Sequence, residues 1–341
     1  MRVAILTGGG DCPGLNAVIR GVTRRAITSY SYDVLGIKNG WKGLIDGEVE
    51  PLGLYAVSGI LHRGGTILGT SRTNPMRNRD DFLRIEENLK RYEVDALIAV
   101  GGDDTLSAAL ALHKEGIRVV GIPKTIDNDI KGTDFTFGFN TAVSTVTEAI
   151  DRLHTTAESH HRIMVVEVMG RNSGWIAVMS GIAGGADYII IPEVPYDLQK
   201  ICKALMKRHK HKKFSIVVVA EGAKSADGEV VTQSDRVDEF GHIRLGGIGQ
   251  IIGDKIEAIT GIETRVTILG HIQRGGSPTA YDRILATRFG VRAVDAVKEK
   301  QFGKMVALRS EEIIMVNLEE AILENKKVDM KLYEIAEIFF G

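Results

Sequence analysis

The chain has 341 residues, with 43 Lys or Arg against 44 Asp or Glu, for a formal net charge of −1. A charge this close to zero gives no field to draw in nucleic acid or an anionic membrane, so any anion site must come from local clusters. A single core stops growing at roughly 250–300 residues, which leaves room for one large α/β unit or two domains.

The first residues, Met1-Arg2-Val3-Ala4-Ile5-Leu6, break into glycines. They read as a strand, too short for the apolar segment of a signal peptide. No run approaches the ~20 apolar residues of a membrane span. Two cysteines, Cys12 and Cys202, cannot make a disulfide framework and suit a reducing compartment. A cytoplasmic protein is expected. Further along, Val/Ile/Leu-rich runs without polar alternation fall at residues 3–6, 96–100, 119–122, 163–168, 188–191, 216–220 and 266–269. Such runs predict strands buried on both faces of a parallel sheet. Helical patterns lie between them at 106–114, 141–154, 198–210, 248–259 and 281–299. Strand–helix alternation means βαβ units and a doubly wound sheet. No repeat or Pro/Ser linker marks a domain boundary.

Open α/β sheets bind ligands beyond the carboxyl ends of their strands, and several predicted strand ends carry unusual residues. Gly8-Gly9-Gly10-Asp11-Cys12-Pro13-Gly14 leads into a helix near Leu15. It reads either as a tight turn or as a loop whose amides and helix terminus meet a phosphate. Pro13 stands where a dinucleotide fingerprint needs its third glycine, and no Walker lysine follows. Gly101-Gly102-Asp103-Asp104-Thr105 has the same context, with two carboxylates that could cap a helix or hold Mg²⁺ and its phosphates. Next, Lys124-Thr125-Ile126-Asp127-Asn128-Asp129 offers a base and a cation together, as phosphoryl transfer to an alcohol requires, or else a solvated Asx turn. Arg72, Arg162, Arg171, Arg265 and Arg274 stand near strand ends or glycine-rich turns and could grip phosphate bidentately. Trp41 is read as packing, with a ligand border as the alternative.

Taken together these strings resemble the phosphofructokinase family. They are Gly-Gly-Asp at 101–103, Pro-Lys-Thr-Ile-Asp-Asn-Asp-Ile at 123–130, Val-Glu-Val-Met-Gly-Arg at 166–171 and Leu-Gly-His-Ile-Gln-Arg-Gly-Gly-Ser-Pro at 269–278. The likeness covers nearly the whole chain, least surely at 223–246. It implies two doubly wound three-layer α/β domains with mostly parallel sheets. A donor domain would comprise 1–138 with roughly 273–323. A fructose 6-phosphate domain would comprise 139–272 with roughly 324–341. It further implies that Asp127 deprotonates the sugar 1-hydroxyl with Thr125 and Asp129 beside it, that Asp103 holds Mg²⁺, and that Arg72 neutralises the moving phosphoryl group. Gly9 and Gly10 would face the donor. Met169, Gly170, Arg171, Glu221, His271 and Arg274 would bind the sugar phosphate. Arg162 and Arg265 would reach a neighbouring subunit's site, so a homo-oligomer, dimer or tetramer, is expected.

Two departures from the family pattern carry information. ATP-using members typically have glycines where Asp104 and Lys124 stand, and this pair resembles the pyrophosphate-dependent branch. Asp104 would crowd an ATP α-phosphate while Lys124 pairs with pyrophosphate. Leu54 and His154 stand where the bacterial effector pocket uses arginines, although Arg20, Arg24, Lys212 and Lys213 remain. The expected activity is a reversible, Mg²⁺-dependent transfer from pyrophosphate to fructose 6-phosphate. The alternatives are an ATP-dependent or dual-donor enzyme, or a non-catalytic sensor on the same fold, which would have no need of a base.

Overall fold

The apolar run after Met1 folds as strand β1 (Arg2–Thr7) and leads into helix α1 (Leu15–Tyr30). This is a computed structural model, and it describes residues 1–226, 232–237 and 243–341. After α1 come β2 (Asp33–Ile37), α2 (Gly40–Asp46), β3 (Val49–Pro51), α3 (Arg79–Arg91), β4 (Ala96–Gly101) and α4 (Asp103–Lys114). They are followed by β5 (Val119–Thr125), the two-residue β6 (Phe137–Gly138) and the long α5 (Phe139–His160). Then follow β7 (Ile163–Val168), α6 (Trp175–Ala183), β8 (Tyr188–Ile190), α7 (Leu198–His209) and β9 (Ser215–Ala220). The hairpin β10 (Thr232–Val237) and β11 (Ile243–Leu245) precedes α8 (Ile248–Thr260) and β12 (Thr264–Ile268). A 3₁₀ turn at Gly270–Arg274, α9 (Ala280–Lys298), β13 (Lys304–Arg309), β14 (Glu312–Asn317), α10 (Leu318–Ile322) and α11 (Met330–Glu337) complete the chain.

The strands form two sheets and the separate β10–β11 hairpin. The first has the order β14-β13-β5-β4-β1-β2-β3, with β6 beside β5. It is parallel throughout its middle and antiparallel only at β2–β3 and β13–β14, its two edges. The second sheet, β12-β7-β9-β8, is wholly parallel. Alternate residues of β1 face opposite layers. Val3 and Ile5 join a core with α1 and α9, whereas Ala4 and Leu6 pack with Trp41, Leu44, Phe82 and Ile85. In the second sheet, Val166 and Val218 face Val146, Ile150 and Ile176, whereas Val165 and Val217 face Ile201, Leu205, Ile252 and Ile256. Each sheet is thus sandwiched between helices, giving two three-layer α/β domains. The α1/α9 layer and the α5/α6 layer belong to one continuous core, which joins the sheets.

Two glycines let α1 and α9 approach closely. A Cβ on Gly290 would lie 2.6 Å from the Val18 carbonyl oxygen, and one on Gly21 would lie 2.9 Å from that of Thr287. Strand boundaries differ from expectation at the second sheet's edge. The predicted run at 266–269 folds as Thr264–Ile268, because pairing with β7 begins at Thr264 against Ile163. The helix expected at 141–154 spans Phe139–His160. Among the described residues no helix is long and apolar enough to cross a membrane.

Candidate active site

The carboxyl ends of β1, β4 and β5 face those of β7, β9 and β12 across a cleft of about 650 Å³. From the first sheet it receives Gly9, Gly10, Asp103, Asp104, Lys124, Thr125, Asp127 and Asp129, with Arg72 and Trp41 from the connecting segments. From the second it receives Met169, Arg171, Glu221, His271 and Arg274. Gly170 lies between two lining residues, with φ 138° and room for no Cβ, since one would meet the Ser173 carbonyl oxygen at 2.6 Å. Arg162 and Arg265 are elsewhere. They sit at the opposite, amino-terminal ends of β7 and β12, and both pair with Glu263, Arg162 at 2.8 Å.

Of the two sequence readings of the glycine loop, two of its amides follow the tight turn. The amide of Gly8 donates to the Val100 carbonyl at 2.9 Å and that of Gly9 to the Ser71 carbonyl at 3.0 Å. These donors are therefore committed within the fold. What the glycines provide is space, because a Cβ on Gly8 or Gly101 would strike the Thr105 side chain at 2.7 or 2.3 Å. At the head of α4, Asp103 accepts from the Asp104 amide at 2.9 Å. Lys124 is buried, and its ammonium donates to the Gly10 carbonyl. That burial pulls its pKa down.

Asp127 is the centre of the arrangement. Its amide donates to the Thr125 hydroxyl at 3.1 Å, and its carbonyl accepts from Ser173 Oγ at 3.1 Å. Its Oδ1 is buried without a hydrogen-bond partner, as is Nε of Arg274, among the described residues. Burial pushes the Asp127 pKa up, Arg274 and Arg171 draw it back, and the nearby Asp103 raises it again. Burial and the charges of Asp127 and Asp103 raise Asp129 to about 7. Burial and Asp127 raise Glu221 to about 7. Carboxylates crowded together beside arginines, with unpartnered polar atoms, make a site built for a polar ligand that brings its own charge.

Sequence reasoning missed several neighbours. Glu167 lies in mid-strand, and its carboxylate accepts from the amides of Gly247 at 2.9 Å and Gly249 at 2.7 Å, fixing the start of α8. A lone acid within Val-Val-Glu-Val was its only signal. Asn172 also borders the cleft. Asn325, far along the chain, brings its Nδ2 to 3.5 Å from both Asp103 and Asp129.

Comparison with known proteins agrees with this geometry. The phosphofructokinase family model matches residues 2–297. The pyrophosphate–fructose 6-phosphate 1-phosphotransferase of Streptomyces coelicolor is 55% identical over 342 residues, covering 100% of both chains. The ATP-dependent 6-phosphofructokinase of Corynebacterium efficiens is 52% identical, covering 100% of this chain and 99% of its own. Among solved structures, Pichia pastoris phosphofructokinase in the T-state superposes with a TM-score of 0.85 at 35% identity. That match takes in 99% of this chain but spans only 36% of the longer one. The two-domain α/β fold and its charged cleft, with these matches, place the chain among the phosphotransferases. The chain belongs to the phosphofructokinase family.

Proposed function

We propose that the cleft transfers a phosphoryl group from pyrophosphate to the 1-hydroxyl of fructose 6-phosphate, reversibly, giving fructose 1,6-bisphosphate and phosphate. The observation that carries this reading is the unpartnered Oδ1 of Asp127, buried in a cleft lined by Arg171 and Arg274 on one side and Lys124 on the other. The sugar hydroxyl oxygen attacks the terminal phosphorus of the donor. The new O–P bond forms as the bridging P–O bond breaks, and Asp127 takes the hydroxyl proton. A base in this role supplies about 10²–10⁴-fold. Thr125 orients Asp127 through the bond to its amide, and Asp129 lines the cleft beside it. Arg72 and Lys124 offset charge on the phosphoryl group, with Gly9 and Gly10 leaving room for it. Met169, Gly170, Arg171, Glu221, His271 and Arg274 hold the sugar phosphate.

Magnesium fits this donor set. It takes one or two carboxylates and otherwise keeps waters and phosphate oxygens. Asp103, lining the cleft at the head of α4, matches that need, and no cage is required. Among the described residues no three His, Cys, Asp or Glu gather as one. Asp103 would hold the ion, which neutralises phosphate charge.

Support for pyrophosphate comes from Asp104 and Lys124, both lining the cleft. Asp104 obstructs a nucleotide α-phosphate, and Lys124 contributes a cation. A second reading, ATP as donor, is favoured by the 52% identity to the Corynebacterium efficiens enzyme. We further assign donor binding to residues 1–138 with roughly 273–323, and sugar-phosphate binding to 139–272 with roughly 324–341. Arg162 and Arg265 lie outside the cleft of their own chain, which supports a role across an interface in a cytoplasmic homo-oligomer. Effector control is weak on this reading. Leu54 replaces one cation, and His154 Nε2 lies 2.7 Å from the Gly184 carbonyl oxygen. The deciding experiment compares initial rates with pyrophosphate and with ATP at fixed fructose 6-phosphate and Mg²⁺. Faster turnover with pyrophosphate is expected, and turnover with ATP alone would overturn the donor assignment.

A further inference from the structure

The chain between α10 and α11 crosses from the first sheet to the second. Asn325 forms an isolated antiparallel bridge with Ile130, and the Lys326 amide donates to the Asp129 carbonyl at 2.7 Å. The Lys326 ammonium turns back to donate to the carbonyls of Asp134 at 2.7 Å and Thr133 at 3.0 Å. It also lies 5.1 Å from the centroid of the Trp175 ring, whose indole N–H reaches the Lys326 carbonyl at 3.4 Å. Trp175 opens α6, in the second domain. Beyond it, Lys327 donates to the Asn172 carbonyl at 2.5 Å and the Val328 amide to the Glu193 carboxylate at 3.1 Å.

These contacts converge on one loop. Residues 127–134 leave β5, turn through Asn128 in the left-handed region at φ 52°, and bear Asp127 at their start. The Lys326 amide holds one arm of this loop and its ammonium holds the other. Hydrogen bonds from a cation to carbonyls are roughly twice as strong as neutral ones, and the ring of Trp175 adds a cation–π contact. Ser173 Oγ also ties the loop to the second domain through the Asp127 carbonyl, Asn325 Nδ2 reaches Asp129, and Lys131 pairs with Glu324 at the surface.

We propose that Lys326 is a positioning residue for phosphoryl transfer, one that clamps the loop at 127–134 against Trp175 and so sets where the Asp127 carboxylate stands between the two sheets. This rests on Asp127 being the base. A reacting group displaced by about 1 Å loses on the order of 10²-fold in rate, so a loosened loop lowers kcat. The sugar-phosphate residues are anchored on β7, β9 and the 3₁₀ turn, independently of Lys326, so binding is left in place.

The test uses the full-length chain with Lys326→Met, which keeps the stem and removes the donors, and Lys326→Gln, which keeps one polar group and serves if Met prevents folding. For each, kcat, KM for fructose 6-phosphate and backbone amide exchange are measured with whichever donor the wild type uses. We expect kcat to fall between roughly tenfold and 10²-fold, KM to stay within about threefold, and exchange to rise in residues 129–136 while β1, β4 and β7 stay protected. A kcat within about threefold of wild type in a folded variant would overturn the proposal. So would exchange that rises uniformly, because that is lost stability and not a lost clamp. Wild type inactive with either donor would overturn the functional reading instead. The exchange result then stands alone and decides whether Lys326 orders the loop.

Discussion

Arg274, at the end of the 3₁₀ turn, donates from Nη1 to the Asp11 carbonyl at 3.3 Å, and a methyl on Gly10 would come within 2.6 Å of that same nitrogen. The loop after β1 and the turn after β12 therefore occupy a single space. Gly10→Ala should push the guanidinium aside while leaving the backbone where it is. Removing a charge-assisted contact of about 1.5–3 kcal/mol predicts a rise of roughly 10–150-fold in KM for fructose 6-phosphate. The melting temperature should barely change. A large fall in melting temperature with unchanged KM would show that the backbone yields and Arg274 does not.

Asp127→Asn keeps the shape of the side chain but cannot accept the proton. Its kcat should drop by about 10²–10⁴-fold with the fold intact by circular dichroism. Turnover within a factor of about three of wild type would remove Asp127 from the role of base.

Donor choice is tested by opposing substitutions. Asp104→Gly should raise kcat/KM for ATP by clearing a bulky, like-charged group from the cleft. Lys124→Met should lower kcat/KM for pyrophosphate by roughly 10–150-fold, the equivalent of one contact of about 1.5–3 kcal/mol. Lys124 also donates to the Gly10 carbonyl, so melting temperature is measured alongside. Specificity assembled from an obstacle and an attraction predicts that the two variants move the donors separately. Parallel loss with both donors would count against it.

The pH dependence of stability follows from Glu221. Burial raises its pKa from 4.5 to about 7 in the folded chain, so the folded state holds its proton more tightly than the unfolded state does. The resulting stabilisation is full below pH 4.5 and is lost as pH rises towards about 7. Glu221→Gln is neutral throughout and lacks this component. Melting curves should therefore show wild type gaining on the variant as pH falls from about 7.5 to 4.5. A difference independent of pH, or of the opposite sign, would mean that Glu221 is ionised throughout.

A shared active site predicts complementation. Asp127→Asn and Arg162→Ala should each be inactive alone, and mixing them under conditions of subunit exchange should restore part of the activity. Sedimentation as an active monomer would rule out the interface role of Arg162.

Much of this was legible in the sequence, and what was not has physical causes. Strands buried on both faces announce themselves as unbroken apolar runs, so β1, β4, β5, β7 and β9 were readable. Strands β2, β13 and β14 lie in the outer flanks of the first sheet, where antiparallel pairing begins, and their short apolar runs are bounded by charged residues such as Asp33, Lys304, Arg309 and Glu312. Cleft residues at strand ends were readable because glycines, acids and bases cluster there. Asn325 and Lys326 were not, since they lie 196 and 193 residues beyond the Asp129 and Thr133 that they meet, and the carbonyls that Lys326 meets leave no side-chain signature. Arg162 and Arg265 stood out both as strand-end arginines and by resemblance, but their place at the amino-terminal ends of β7 and β12, away from the cleft, could come only from the fold. Residues 227–231 and 238–242, within the stretch 223–246 where the family likeness was least sure, lie outside the described residues.

The close seat of α9 on α1 also governs how the protein is made. Helix α1 and strand β5 emerge early from the ribosome, yet their partners α9 and β13 lie within residues 280–309. At about 5–20 residues per second, the interval between β5 and β13 is roughly 10–40 s. During that wait the Gly21 face of α1 and the outer edge of β5 are bare, while the second sheet, contained within residues 163–268, is already complete on the nascent chain. The part of the molecule synthesised first is thus the part finished last, and a chaperone that shields the early strands would act in that window.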